Sequence, residues 1–330
     1  MPRRTSRSSL PLVLAAALVI AACAKKEEAP KADAAPEPAP AAQVAPPEPP
    51  KPENAHAFQI GELAAIALRD GTLEFPNDNK VFGLGKTPEE VGALLSAAGL
   101  PTDKIQLGLE PLLVKTADKV LLFDTGSAGS FGPTNGHLPD ALKEASIDPA
   151  SVTDVFISHL HGDHVGGLIN AEGALAFPNA TIHISKPEWK FLQEVKQDLA
   201  TQMGLANRDK LVAAMKPKVD AFKPGAELVK GVVTAVDIKG HTPGHSGYEI
   251  TSGTDKLLYV GDSMHHSILS VQKADWPMGF DADQKVAAKS RADLVAKLAA
   301  SGERVYAVHF PFPGVGKIVK DGDTYKWVGE

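Results

Sequence analysis

Three histidines and an aspartate lie within six consecutive positions of this 330-residue chain, in the string FISHLHGDHVGGL. Side chains two apart in an extended or looped backbone point roughly the same way, so His159 and His161 can share one ion. Asp163 and His164 can reach a neighbouring ion. Imidazole nitrogens and carboxylate oxygens are suitable ligands for Zn²⁺ and similar divalent ions. The string therefore predicts a metal site.

Further side chains of ligand type follow, each where an apolar run opens into a loop. The string KGHTPGHSGY places His241 and His245 around a Pro-Gly turn. Asp262 ends the run LLYVGD, and His309 lies at the end of the apolar strand in RVYAVHF. Taken singly, each is typical of a solvated strand end. Taken in this order, they favour one common site.

The ordered strings resemble the metallo-β-lactamase superfamily of metal-dependent hydrolases. The strings that carry the resemblance are HLHGDH, TPGHS, the GD after an apolar strand, the late strand-end histidine and the early LLFDTG. Five further strings, AFPNATIHISKPEW, GHTPGHSGY, GDSMHH, FDADQ and VHFPFPG, resemble the methyl parathion hydrolase and quorum-quenching lactonase-like branch. The resemblance covers roughly residues 57–330. It implies an α/β fold, an αββα sandwich of the metallo-β-lactamase type.

The resemblance also implies a binuclear centre with seven ligands. They are His159, His161 and His245 for the first ion, Asp163, His164 and His309 for the second, and Asp262 as the bridge. It leaves His241 in a supporting or structural role. It gives Asp124 a hydrogen-bonding role behind the metal loop, although a turn residue before Gly126 explains Asp124 equally well. Zinc is the expected metal, and manganese, iron or cobalt would suit the same ligands.

Such a centre implies hydrolysis of an ester, a lactone or a phosphotriester. A water held between two ions becomes hydroxide near neutral pH and attacks carbon or phosphorus. Asp163 would pass a proton to the leaving group. Lactonases of this branch often carry a tyrosine that reaches the substrate carbonyl, and no tyrosine closely follows Asp262 here. His265 is the expected hydrogen-bond donor in its place, and a packing role behind the metals is the alternative.

Other functions are compatible with the same motifs. They are a β-lactamase, a glyoxalase-II-like thioesterase, a mono-iron sulfur dioxygenase and an inactive metal-binding lipoprotein. The complete set of seven ligands favours two ions over one and an active enzyme over an inactive protein. Four aromatic residues, Trp189, Phe191, Trp276 and Phe280, are candidates for an apolar substrate pocket.

The N-terminus predicts export and lipidation. A basic start precedes a 13-residue apolar run at positions 10–22, which is too short for a stable membrane span and typical of a signal peptide. The lone Cys23 after Ile-Ala-Ala resembles a bacterial lipobox; an ordinary secretion signal is the alternative. We expect a signal peptide at 1–22, a lipidated Cys23 with an Ala/Pro-rich disordered tether to residue 56, and a metallo-hydrolase domain at 57–330. The chain would be anchored to a membrane of the bacterial cell envelope, facing the periplasm.

Composition excludes several further classes. Once Cys23 is lipidated no thiol remains, so neither a disulfide nor a cysteine ligand is expected. Loss of Arg3, Arg4 and Arg7 leaves 31 basic against 40 acidic residues, a net charge of −9. This charge argues against nucleic acid as a partner. The expected partners are a small-molecule substrate and the membrane, and a homodimer is left open.

The sequence also predicts several elements. Thr87 and Glu90 form a capping-box pattern at the start of TPEEVGALLSAAGL, which predicts a helix. A second amphipathic helix is expected in DADQKVAAKSRADLVAKLAASG, closed by Gly302. The segment 186–215 reads as one or two helices. A terminal hairpin should turn at Asp321 and Gly322.

Overall fold

The computed structural model describes residues 54–330. The predicted signal peptide, Cys23 and nearly all of the tether lie outside these residues. Strand β1 begins at Ala55, so the folded domain starts two residues before the predicted boundary at 57. No helix within the described part of the chain has the length and apolar character needed to cross a membrane.

The strands form two large sheets and one small one. They are β1 (Ala55–Ile60), β2 (Leu63–Leu68), β3 (Gly71–Pro76), β4 (Lys104–Leu109), β5 (Leu112–Lys115), β6 (Val120–Phe123), β7 (Asp154–Phe156), β8 (Thr181–Ser185), β9 (Val219–Phe222), β10 (Glu227–Val229), β11 (Val233–Asp237), β12 (Ser246–Ser252), β13 (Asp255–Tyr259), β14 (Arg304–Tyr306), β15 (Val315–Asp321) and β16 (Thr324–Gly329). The first sheet has the order β1-β2-β5-β6-β7-β8-β9, and the second runs from β10 to β16 in chain order. Strands β3 and β4 pair separately.

Eight α-helices are present among the described residues, and most of them cover the outer faces of the two large sheets. They are α1 (Pro88–Ala97), α2 (Leu138–Glu144), α3 (Gly162–Val165), α4 (Lys186–Glu194), α5 (Gln197–Gln202), α6 (Arg208–Met215), α7 (Leu269–Gln272) and α8 (Gln284–Ser301). Helix α1 carries the predicted capping box: the Thr87 hydroxyl accepts from the Glu90 N–H, and the Glu90 carboxylate accepts from the Thr87 N–H. Helix α8 ends at Gly302, whose φ of +69° favours glycine.

Apolar side chains fill three layers. Phe123 and Phe156 of the first sheet meet Tyr248 and Tyr259 of the second in the central layer. A second cluster packs α2, α4, α5 and α6 on the outside of the first sheet. A third packs α8 on the outside of the second. The predicted αββα sandwich is therefore confirmed.

Parallel strands within each large sheet position the candidate site. Strands β6, β7, β8 and β9 run parallel in the first sheet, as do β13 and β14 in the second. Ligands in α/β proteins bind outside the carboxyl ends of such strands, because the chain emerges there into loops on a common edge. Asp124, His159, Asp262 and His309 all follow one of these strand ends.

The predicted hairpin at 321–322 is present, and the segment 186–215 forms three helices where one or two were predicted. The breaks are at Val195, where the backbone turns extended, and after Gln202, where the chain reaches Gly204 with a φ of +81°.

Candidate metal centre

A first group of ligand atoms gathers around His159. The Nε2 atoms of His159 and His241 lie 3.1 Å apart, and the Nδ1 of His161 is 2.9 Å from the first and 3.0 Å from the second. The donors of a tetrahedral zinc ion lie ~3.3 Å from one another, given Zn–N bonds of about 2.0–2.1 Å. These three nitrogens with Asp262 therefore have the spacing of a single metal site.

A second group lies beside the first. It contains Asp163, His164 and His309. The Asp163 Oδ2 is 3.4 Å from the Nε2 of His164 and 3.5 Å from the Nε2 of His309. All three side chains belong to the predicted second set.

Asp262 lies between the two groups with one oxygen toward each. Its Oδ2 is 3.5 Å from His159 Nε2 and 3.3 Å from His241 Nε2. Its Oδ1 is 3.1 Å from His164 Nε2 and 3.0 Å from His309 Nε2. This arrangement is the one that a bridging carboxylate adopts between two ions.

The assignment of His245 to the first group is corrected by this geometry. The Nδ1–H of His245 donates to the Ile238 carbonyl at 3.0 Å, and its Nε2 accepts from the Asp262 N–H at 2.9 Å. Both ring nitrogens are therefore used within the protein. His245 holds the backbone of Asp262, and His241 occupies the place in the ligand group that was predicted for His245.

Hydrogen bonds behind the rings fix which nitrogen faces the centre. The Nδ1–H of His164 donates to Asp124 at 2.7 Å, that of His241 to Asp281 at 2.9 Å, and that of His309 to the Gly108 carbonyl at 2.7 Å. Each leaves its Nε2 directed toward the centre. Such outer partners set the tautomer and orientation of metal-binding histidines.

Asp124 performs the supporting role expected of it. Its carboxylate also accepts from the N–H and hydroxyl of Ser158 and from the hydroxyl of Tyr259. Since the Ser158 hydroxyl donates its only proton to Asp124, it accepts from the Nδ1–H of His159 at 3.1 Å. One carboxylate thus orients histidines of both groups.

The pKa values of the histidines in the site differ, so that some imidazoles are neutral at neutral pH and others are not. Burial lowers the pKa of His161 to about 3. Burial also acts to lower the pKa of His241, but hydrogen bonds to Asp262 and Asp281 raise it to about 9. At neutral pH a proton therefore competes with a metal ion for the Nε2 of His241.

Unpaired buried atoms indicate that the donor set fits divalent ions. Within the described residues, His164 Nε2 and Asp262 Oδ1 are buried and make no hydrogen bond. Leaving such atoms unpaired costs free energy unless another partner satisfies them. A mixed set of imidazole and carboxylate donors suits zinc and related ions, so residues and metal fit each other.

A cavity of about 480 Å³ opens over both groups. Its floor carries His161, Asp163, Asp262 and His309, and its walls are mainly apolar. The apolar wall residues are Leu73, Phe75, Leu107, Phe131, Phe191, Leu199, Met203 and Phe280. Of the four aromatic residues proposed for the pocket, only Phe191 and Phe280 line it. Trp189 packs against the apolar cluster on the outside of the first sheet. Trp276 packs against a small apolar cluster under β3 and β4.

His265 also lines this cavity. Its Nε2 lies 3.1 Å from Asp262 Oδ2, and neither ring nitrogen has a hydrogen-bond partner of good geometry among the described residues. Its ring stacks on that of His309 at 5.6 Å between centroids. Burial lowers its pKa, so the ring is neutral and keeps one N–H to donate at neutral pH. The structure therefore places a free hydrogen-bond donor next to the bridging carboxylate.

Sequence reasoning missed three side chains that support the centre. Asp281, which orients His241, lies in the string FDADQ that carries part of the resemblance, yet nothing in the string specifies its partner. The fully buried Arg291 of α8 donates to Asp281 at 3.3 Å and to two loop carbonyls. The carboxyl group of Glu188, which burial moves to a pKa of about 7, lies behind the metal loops. A buried Arg or Glu on a helix gives no sequence signal distinct from an exposed one.

Comparison with known proteins agrees with this geometry. The sequence model of the metallo-beta-lactamase superfamily matches residues 112–309. A probable metallo-hydrolase of Mycobacterium tuberculosis is 24% identical over 242 residues, covering 64% of this chain and 76% of the relative. The chain therefore belongs to the metallo-β-lactamase superfamily and is a metal-dependent hydrolase of that fold.

Solved structures of similar fold include a lactonase and a second hydrolase. AidC, a dizinc quorum-quenching lactonase in complex with the product N-hexanoyl-L-homoserine, has a TM-score of 0.78 and 29% identity, covering 84% of this chain and 97% of its own. The hydrolase AbOPH has a TM-score of 0.77 and 27% identity, covering 85% of this chain and 99% of its own. The neighbours of this chain thus include quorum-quenching lactonases, consistent with the lactonase-like branch.

Proposed function

We propose that this protein is a binuclear hydrolase of small esters and lactones, with phosphotriesters as a further substrate class. The observation that carries the proposal is Asp262, whose two oxygens each face a separate set of buried donors. The first ion would be held by His159, His161 and His241, and the second by Asp163, His164 and His309, with Asp262 shared. Bound ions of this kind lower the pKa of water and polarise the substrate oxygen.

Zinc is the proposed metal. The donors are imidazole and carboxylate, and the similar lactonase AidC is a dizinc protein. Manganese, iron and cobalt accept the same donors, so elemental analysis of protein purified without added metal decides the identity.

The residues of the cavity have separate proposed tasks. Asp163 keeps a side chain open to the cavity and would move a proton toward the leaving group. His265 would donate a hydrogen bond to the substrate oxygen on which negative charge develops. The apolar walls would hold the acyl or alkyl part of the substrate and exclude water.

Ester and lactone substrates are proposed because a cavity with apolar walls and a polar floor fits a molecule with one reactive carbonyl and an apolar chain. The test is a panel of p-nitrophenyl ester, acyl-homoserine lactone, paraoxon, nitrocefin and lactoylglutathione. We expect the protein to hydrolyse the p-nitrophenyl ester and the acyl-homoserine lactone. Removal of the metal by a chelator should abolish this activity. Preferential turnover of nitrocefin or lactoylglutathione would replace the proposal with a β-lactamase or a thioesterase. Oxygen consumption with a persulfide and one iron per chain would replace it with a sulfur dioxygenase.

We also propose that Cys23 is lipidated and holds the domain at the cell envelope, facing the periplasm. The support is in the sequence: a short apolar run, small residues and the only cysteine of the chain. Replacing Cys23 by Ser should move the protein from the membrane to the soluble fraction with its hydrolase activity intact. Unchanged fractionation of Cys23→Ser would refute the anchor.

A further inference from the structure

The side chain of Glu188 is completely buried in the first turn of α4, directly behind the candidate metal centre. Ser185 caps this helix by accepting from the Glu188 N–H at 3.3 Å. A glutamate at this position often folds back to the cap residue's own N–H. Here both carboxylate oxygens instead accept from backbone N–H groups of other loops.

Those two loops carry the ligands of the first group. The Oε1 of Glu188 accepts from the Leu160 N–H at 3.0 Å, and Leu160 lies between His159 and His161. The Oε2 accepts from the N–H of Gly244 at 2.7 Å. Gly244 belongs to the turn that begins at His241. One carboxylate therefore joins two loops that are more than 80 positions apart in sequence.

The start of α4 also packs directly against the loop that contains Gly244. The Ser185 hydroxyl donates to the Gly244 carbonyl at 2.6 Å. A Cβ atom at position 244 would lie 2.3 Å from the Ser185 Oγ and 2.4 Å from the Glu188 nitrogen. The close approach therefore requires glycine at 244, and it leaves little freedom in where the loop can lie.

We propose that Glu188 is a positioning residue that sets the distance between the pair His159/His161 and His241, and so the affinity of the first ion. The inference rests on the proposed function, because these three histidines are the proposed ligands of that ion. Asp163, His164 and His309 receive no hydrogen bond from Glu188. The second ion should therefore be affected much less than the first.

Glu188→Gln separates this role from simple packing. Glutamine has nearly the same volume, but it has one acceptor oxygen and an NH₂ group that cannot accept from the second N–H. One loop therefore loses its anchor while the core stays filled. Loss of a partner behind a ligand typically weakens metal affinity 10- to 100-fold, and we expect a change of this size at one of two ions.

The experiment is Co²⁺ titration of the metal-free protein in competition with a chromophoric chelator, with the visible spectrum of bound Co²⁺ recorded at each step. Asp154→Asn is the matched control, because Asp154 is a buried carboxylate on β7. Its partners Lys119, Thr153 and His183 are outside the site. We expect wild type and Asp154→Asn to bind two ions with the same spectra. Glu188→Gln should show one site weakened 10- to 100-fold with an altered spectrum.

Two results would overturn the inference and are distinct from failure of the proposed function. If Glu188→Gln bound both Co²⁺ ions with the affinities and spectra of wild type, Glu188 would not position the ligands. Equal weakening of both sites, with the same effect in Asp154→Asn, would show a general loss of stability. A wild-type protein that binds fewer than two ions would instead contradict the proposed binuclear function.

Discussion

At the scale of single residues, the two histidines of GHTPGHS show that the role of a histidine depends on the direction in which its ring points. His241 and His245 flank the same Pro-Gly turn, four positions apart. His241 directs its Nε2 toward the candidate ligand group, whereas His245 uses both ring nitrogens in hydrogen bonds with backbone groups. Spacing identifies such a pair as metal-related, but only the folded turn determines which ring faces the ions.

His265 gives a direct test of catalysis at this scale. Its free N–H beside Asp262 can stabilise charge that develops on the substrate oxygen, and loss of one such donor typically costs about 10²–10³ in rate. We expect His265→Ala to keep both ions and to lower kcat by about that factor with little change in KM. His265→Gln, which retains a donor, should recover part of the rate. Loss of metal in the Ala variant, or normal turnover, would contradict the donor role.

His266 should make stability depend on pH. Its Nδ1 accepts from the N–H groups of Ile268 and Leu269, and burial lowers its pKa to about 4. The unfolded chain, with a histidine pKa near 6.5, binds more protons between these values, so folding weakens as the pH falls from about 6.5 to 4. Asparagine can accept from the same two N–H groups without titrating.

The measurement is urea unfolding of the metal-free protein at pH 7 and pH 5. Wild type should lose about 2 kcal/mol more stability over this range than His266→Asn. The half-exposed His137 is the control, and His137→Asn should behave as wild type. Equal losses in wild type and His266→Asn would contradict the prediction.

At the scale of elements, the capping box of α1 provides a test away from the centre. The Thr87 hydroxyl satisfies the Glu90 N–H at 3.2 Å, and loss of such a cap costs about 1 kcal/mol. Thr87→Ala should lower the free energy of unfolding by about that amount and leave kcat unchanged. Ser96→Ala, on an exposed position of the same helix, should not lower it. Equal unfolding free energies for Thr87→Ala and wild type would show that the cap contributes nothing.

Elements with local signals could be predicted from sequence. The box at Thr87, the left-handed glycine after α8 and the hairpin at 321–322 each depend on residues close in sequence. The contiguous HLHGDH string predicted candidate ligands that lie close together in the structure, because they too are close in sequence. Glu188 and Arg291 could not be predicted, because their roles arise from contacts with loops that are distant in sequence.

At the scale of the whole molecule, the centre joins the two halves of the sandwich. His159 follows β7 of the first sheet, whereas Asp262 and His309 follow β13 and β14 of the second. Ions bound between them favour the folded state by mass action, by about 2.7 kcal/mol per site at 100 times the Kd. Chelation should therefore lower the melting temperature, and restored Zn²⁺ should raise it in a concentration-dependent way. A melting temperature indifferent to chelation, in protein shown to have lost its metal, would contradict this coupling.

The count of ions per chain tests the central claim most directly. Elemental analysis of the purified wild type should give about two divalent ions per chain. His241→Ala should retain about one and lose activity, because its Nε2 belongs to the first group only. A wild type with one ion and full activity, or a His241→Ala variant that keeps two, would contradict the proposed binuclear centre.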